Sequence, residues 1–212
     1  MNSDSAKRCF DVVTSSVLLL VLLPIMLLTA IAIKLDSSGP IFADIPLRVG
    51  KNGMKFKLYK FRSMIPGAQQ LLMTDPRMKK LFNEYKKNNY KLKDDPRITR
   101  VGTFIRRHSI DEFPQLINVL QGTMSLVGPR PYYEFELDEQ RKRFPNVGPA
   151  IEKVQTVKPG ITGFWQVSGR STIDFEKRIL LDAQYVDKRS ILYDLYILAK
   201  TPWAVISGKG AY

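Results

Sequence analysis

Residues 12–33 carry no charged side chain, and nothing else in the chain restricts its fold as strongly. Coiled as a helix, that run is long enough to cross a bilayer core of about 30 Å. It is too long for the apolar core of a secretory signal peptide, and no small-residue cleavage site follows it. Hydropathy alone favours a plain spanning anchor. Two details favour a re-entrant helical hairpin that enters and leaves through one leaflet. Pro24 sits in mid-run, where the missing N–H removes a helix hydrogen bond and favours a kink. The flanks are basic on both sides, Lys7 and Arg8 before and Lys34 after, and basic flanks tend to stay cytoplasmic. The expected division is residues 1–36 as membrane anchor and residues 37–212 as a cytosolic domain.

That domain has the length of a single globular unit with a sizeable core, with no linker, repeat or low-complexity tract to divide it. Lysine and arginine number 33 against 20 acidic residues, a formal net charge of +13. Such an excess implies an anionic partner: nucleic acid, anionic membrane lipid or a phosphorylated substrate. The single cysteine, Cys9, excludes an internal disulfide, and there is no CxxC or paired-histidine pattern of the kind that holds zinc.

The chemistry concentrates in residues 103–131. Asp111 and Glu112 follow Arg106 and Arg107 and are predicted to open a helix running to Gly122, with Pro114 in its first turn and Gly122 as its stop. A helix start is electropositive, so it keeps a carboxylate ionised and favours an incoming phosphate. Asp111 is thereby a candidate nucleophile. Ser109 and Glu112 also have capping-box spacing, which accounts for the dyad without chemistry. Capping, however, needs neither the preceding arginines nor the Gly128-Pro129-Arg130-Pro131 loop beyond, where two fixed φ angles flank a guanidinium suited to bidentate phosphate binding. Adjacent residues point about 100° apart on a helix, so Asp111 and Glu112 are expected to hold different roles.

Elsewhere the signals are local. A turn at Gly39-Pro40 is followed by a predicted β segment reaching Asp44 and a second turn at residues 50–53. Strand alternation then places Phe56, Leu58, Lys60 and Arg62 on one face, apolar at first and then cationic; either the two cations point into a phosphate site, or a bulge leaves both in solvent. Asp75-Pro76 reads as a helix start. The helix beyond it carries Met78, Leu81, Phe82 and Tyr85 at helical spacing among lysines, a pattern that suits a core-packed surface helix or one lying on an anionic membrane. Arg170, after a glycine-broken stretch around Phe164, Trp165 and Gln166, is a candidate anion contact. Two more helices follow, one with Phe175, Ile179, Ala183 and Val186 inward, the other capped by Ser190 and bearing Tyr193, Tyr196 and Trp203, which suit an interface or a core. The expected fold is α+β, mainly helical, with amphipathic surface helices and a short β segment.

Several of these stretches recur in order: KRCFDVV, GPIF, KFRSM, DPRITRVG, SIDEFPQLINVLQGTMSLVGPRP, KPGITGFWQVSGR and GKGAY. Over nearly the whole length the chain resembles the bacterial sugar transferase family, the monotopic polyprenyl-phosphate phosphoglycosyl transferases. The resemblance implies a UDP-sugar and a polyprenyl phosphate such as undecaprenyl phosphate as substrates, Mg²⁺ as cofactor, and a site on the cytoplasmic face of the bacterial inner membrane. Oligomers of the chain itself are compatible with it. By resemblance Asp111 is the nucleophile and Glu112, beside it, the Mg²⁺-associated partner of the dyad. Arg106, Arg130 and Lys60 fall at basic motif positions suited to phosphate, while Arg170 and Asp194 fall in later motifs. The final GAY leans toward galactose or glucose. One departure stands out: the family often has Ser-Pro at the re-entrant kink, whereas this chain has Leu23-Pro24, leaving Ser15, Ser16 or Thr29 to supply a hydroxyl. Two rival classes fit less well. A membrane-tethered nucleic-acid-binding module leaves the dyad unexplained and lacks stacking aromatics interleaved with its lysines, so no nucleic acid is expected; a non-catalytic membrane scaffold predicts no release of UMP.

Overall fold

In the computed structural model, residues 3–87, 92, 95–169 and 173–206 are described. Arg170 and the closing GKGAY lie outside them. The apolar run forms α1 (Ser3–Asp36), one helix that continues through Pro24. The two arms expected of a re-entrant hairpin are joined here as one continuous helix. One proline costs a single backbone bond, and packing holds the helix together on both sides of it: Leu22 and Met26 each press on the domain, while Pro24 faces outward.

The helix is two-faced along its length. Asp11, Ser15, Met26, Thr29 and Ile33 are buried, whereas Val13, Val17, Leu20, Val21, Leu27, Leu28, Ile31 and Leu35 are exposed. The 3.6-residue period of the helix makes each set one stripe. Of the hydroxyls available to a kink, those of Ser15 and Thr29 therefore belong to the buried stripe. The inner stripe is part of the domain core, Phe10, Leu18, Leu19 and Leu22 packing with Leu116, Val119, Leu126 and Ile197, and Met26 and Ile33 with Phe61 and Ile105.

Polar bonds pin both ends. Near its start, Lys7 Nζ lies 2.7 Å from Asp11 Oδ1 and 2.8 Å from Asp194 Oδ2. Arg8 donates to the carbonyls of Val119 (2.6 Å) and Leu120 (2.8 Å), satisfying carbonyls left open at a helix C-terminus. At the far end, Asp36 Oδ2 accepts from the N–H of Val101 at 3.0 Å.

Beyond α1 the β segment predicted to reach Asp44 shrinks to a bridge between Phe42 and Phe61. β1 (Arg48–Val49) pairs antiparallel with β2 (Lys55–Phe56). After α2 (Ala68–Thr74), Asp75 accepts from the N–H of Arg77 at 2.9 Å and starts the turn leading into α3 (Lys79–Lys87), as its Asp-Pro sequence predicts. α4 (Arg100–Arg107) and α5 (Gln115–Gln121) bracket the acidic pair. The centre is β3 (Ser125–Val127), buried throughout and paired in parallel with β4 (Gly160–Thr162). Around this pair lie α6 (Glu134–Arg143), α7 (Gly148–Val154), α8 (Phe164–Ser168), α9 (Phe175–Lys188) and α10 (Ile191–Ile206). Phe175, Ile179 and Ala183 of α9 face Ile151 and Val154 of α7, and Ser190 Oγ accepts from the N–H of Tyr193 at the head of α10.

The loop after β3 is pressed against β4. Gly128 N donates to Thr162 O at 3.0 Å and Gly160 N to Pro129 O at 2.8 Å. A Cβ on Gly160 would stand 2.1 Å from Gly128 N, a backbone contact that no rotamer can relieve. Gly160→Ala is therefore expected to destabilise the protein by about 3 kcal/mol, read as a lowered midpoint in thermal unfolding. Gly148→Ala, where nothing stands within 4 Å of the added carbon, is the control and should leave the midpoint unchanged.

Candidate active site

Asp111 and Glu112 lie on a short 3₁₀ turn (Ile110–Glu112) between α4 and α5, not on the opening turn of one long helix. Ser109 takes the left-handed conformation (φ 55°) and does not cap the turn with its side chain, so the capping box does not form; α5 begins only after Pro114. Gly122 ends it in left-handed geometry (φ 81°), as predicted. A non-glycine residue at positive φ is strained backbone directly beside the acidic pair.

Charge control at the dyad therefore comes from neighbouring side chains and not from a helix dipole. Asp111 is buried, and Lys60 Nζ lies 2.9 Å from its Oδ2 and 3.2 Å from Glu112 Oε1. Lys60 reaches this point because residues 57–60 run beside α5 and are held by a helix side chain. Asn118, fully buried, accepts from Tyr59 N (2.9 Å) and donates to Lys57 O (2.7 Å), replacing a strand partner. Phe61 N then donates to Asp111 O at 2.9 Å.

Burial pushes the Asp111 carboxyl above the ordinary aspartate range and Glu112 adds to the shift, while Lys60 and Arg106 pull the other way. For Lys60, burial alone would lower the value, but the two carboxylates outweigh it and hold the ammonium above the usual lysine range. The site is thus a basic carboxylate facing a fixed cation. Glu112 is the more open of the pair, its side chain 36% exposed, which separates the two roles physically.

These two carboxylates also fit a magnesium ion. Among the described residues no group of three His, Cys, Asp or Glu side chains gathers to hold a metal, but Mg²⁺ is commonly held by one or two carboxylates, with water and substrate phosphates completing the shell. An ammonium already bridging both carboxylates shows that the spot attracts a cation.

Of the predicted basic residues, Lys60 touches the dyad, and the charges of two more are felt there. Besides Lys60, Arg106 on the last turn of α4 acts on both Asp111 and Lys60. The charge of Glu112 reaches Arg130, whose loop is fixed from behind: Arg130 N and Tyr132 Oη both donate to Asp182 Oδ2, at 3.1 and 2.8 Å. Burial pushes the Asp182 carboxyl up to about 7.

Other predicted residues are placed elsewhere. Arg62, expected on the phosphate face, is buried and donates to Pro40 O, Ser37 Oγ and Ser37 O at 2.6 to 2.8 Å. It clamps the turn after α1, because alternation fails where Phe61, Arg62 and Ser63 are all buried in succession. Asp194 accepts from Tyr185 Oη at 2.8 Å and pairs with Lys7, locking α1 to α10. Asn118 and Asp182 were not anticipated. Each acts on backbone more than fifty residues away, a pairing that no local spacing reveals.

The structure thus sets a buried carboxylate against a lysine on a domain that carries one long apolar helix along its side. Residues 2–208 match the family model described as bacterial sugar transferase, and the chain belongs to that family. It is 41% identical over 210 residues to the UDP-galactose-lipid carrier transferase of Erwinia amylovora and, over the same length, to the undecaprenyl-phosphate galactose phosphotransferase of Salmonella typhimurium; 97% of this chain and 41% of each relative are covered. The exopolysaccharide production protein ExoY of Rhizobium meliloti is 39% identical over 207 residues, covering 98% of this chain and 88% of the relative. The chain thus spans about two-fifths of the length of the first two.

Proposed function

We propose that the protein transfers a sugar-1-phosphate from a UDP-sugar to a polyprenyl phosphate, undecaprenyl phosphate in the cell, and so begins the membrane stage of glycan assembly. The observation that carries this reading is the buried Asp111 held by Lys60 against the more open Glu112. The Asp111 carboxylate attacks the phosphorus bearing the sugar, forming an aspartyl-phosphosugar and breaking the bond to UMP, which leaves. The lipid phosphate oxygen then attacks the same phosphorus and frees the carboxylate. Lys60, Arg106 and Arg130 offset the charge of the diphosphate, without which an anion would not approach an anion. When bound, Mg²⁺, held by Glu112 and Asp111, would add Lewis-acid neutralisation of the phosphate oxygens. The relatives named for galactose transfer support UDP-galactose as the first donor to try, with UDP-glucose next. The test is UMP release across a panel of UDP-sugars with undecaprenyl phosphate; release with no donor, in protein that is folded, would sink the reading and leave a scaffold.

The same reading places the domain on the cytoplasmic face of the bacterial inner membrane, with α1 entering from that face without crossing. In support, Lys7 and Arg8 at one end and Asp36 at the other are bonded to a single body, an arrangement that favours both ends lying on one side of the membrane. Reporter cysteines at Asp4 and Asn52, with Cys9 replaced, should both resist an impermeant label in intact cells and both react after lysis. Labelling of the first from outside would show that the helix spans.

A further inference from the structure

Beside the dyad lies a second concentration of charge. Arg48 on β1, Arg130 after β3 and Arg178 on α9 converge from three distant parts of the chain. Arg48 and Arg178 retain only 8% and 6% exposure. Each guanidinium rests on an aromatic face: Arg48 lies 3.2 Å from the ring centre of Tyr133, and Arg130 and Arg178 lie 5.5 and 4.9 Å from that of Trp165. Such stacking fixes the planar fork and strips its water. Among the described residues, the Nε atoms of all three find no acceptor. Arg48 donates to Pro131 O and Arg178 to Ile173 O, and Glu136 stands 4.0 Å from Arg178.

Glu136 is the strongest counter-charge on Arg130 and holds it above the usual arginine value despite burial; what stays unmatched in the group, among the described residues, is hydrogen bonding at Nε. The charge of Arg130 acts against both Arg48 and Arg178. Asp182, the other nearby acid, has its oxygen Oδ2 committed to Arg130 N and Tyr132 Oη and is pushed up to about 7 by burial. Glu136, Glu112 and Asp182 supply counter-charge to the three arginines, yet their Nε donors still lack an acceptor among the described residues, a cost that an anion accepting from them would remove. The group is also continuous with the chemistry, since Glu112 acts on both Arg48 and Arg130.

We propose that Arg48 and Arg178, with Arg130, form a phosphate-monoester subsite beside the Asp111–Glu112 pair, floored by Trp165 and Tyr133. The proposal rests on the reading above and extends it: one phosphate sits against Lys60 and Asp111, and a second, on the leaving nucleotide or on the lipid acceptor, sits in the arginine group.

The test is a binding measurement on purified protein in detergent, with UMP, uridine and farnesyl phosphate as probes. UMP should raise the unfolding midpoint and uridine should not. Arg48→Met and Arg178→Met should each weaken UMP about 10- to 100-fold, the loss of one charge-assisted bond, with any fall in the midpoint of the free variants limited to the loss of one carbonyl bond and one ring contact. A loss confined to farnesyl phosphate supports the same subsite and assigns it to the lipid. Midpoints that fall sharply, with affinity for both phosphates intact, overturn the proposal and make the group structural. Should a methionine variant not fold, Arg48→Lys keeps the charge without the fork; a several-fold loss of phosphate affinity is expected, and none at all overturns the proposal. UMP binding without cleavage of any UDP-sugar sinks the transferase reading alone; UMP release by the parent, with unaltered phosphate binding in the variants, sinks the subsite alone.

Discussion

Asp111→Asn should abolish UMP release, a loss of at least about a thousandfold. The amide is too poor a nucleophile to supply the attacking oxygen, and Glu112, on the more open side of Lys60, would have to move to take its place. The side chain keeps its shape and Lys60 keeps Glu112 as a partner at 3.2 Å, so the unfolding midpoint should change little and a dead variant will not be merely an unfolded one. Glu112→Gln leaves the nucleophile in place; it should retain measurable turnover with a raised requirement for Mg²⁺. Labelled UMP should exchange into UDP-sugar in the absence of lipid, in the parent and not in Asp111→Asn. Robust turnover by Asp111→Asn would remove the covalent route altogether.

Lys60→Met should lower activity near neutral pH roughly 100- to 1,000-fold, the scale set by stranding a buried charge that has lost its partner. The sign of the pH effect follows from the site. Burial and Glu112 already raise Asp111, and Lys60 is the largest influence opposing them. With Lys60 gone the carboxyl takes up its proton at a still higher pH, so the fraction ionised at neutrality falls. The acid limb of the kcat/KM profile should therefore move upward in pH, and part of the lost activity should return as the medium is made more alkaline. A profile that is merely lower, with its acid limb unmoved, would mean that Lys60 serves the substrate and not the nucleophile.

What could be read in advance depended on how far apart the cooperating residues lie. Punctuation by single residues was legible: Asp75 opens its turn, Gly122 closes α5 and Ser190 caps α10, because each acts on backbone a few positions away. The association of Lys60 with the Asp111–Glu112 pair was also legible, since charges clustered between apolar runs need a reason. The path of the backbone through the dyad was not, because a left-handed Ser109 has no signature that separates it from an N-cap serine. β3 and β4 were missed for another reason: Ser-Leu-Val and Gly-Ile-Thr are too short to show alternation, and their pairing spans 35 residues, Ser125 to Gly160. Arg48 and Arg178 look like ordinary surface cations until the chain is folded, and Arg62 looked functional because an alternation was extended one step too far. The continuous course of α1 was hidden by Pro24, whose local penalty is visible in sequence whereas the packing that overrides it is not.

The double duty of α1 has a practical corollary. Its inner stripe shares a core with Leu116 and Val119 of α5, the helix that immediately follows the dyad, so the wall behind Asp111 is partly made of the apolar helix. Trimming away the first 36 residues to obtain a freely soluble enzyme would uncover that core and loosen α5, and the product should aggregate or melt early instead of working in water. Detergents become, in effect, ligands of the catalytic domain: one that wraps the outer stripe and leaves the inner one seated should preserve activity, and one that inserts between α1 and α5 should destroy it at a concentration well below that needed to unfold the remaining helices.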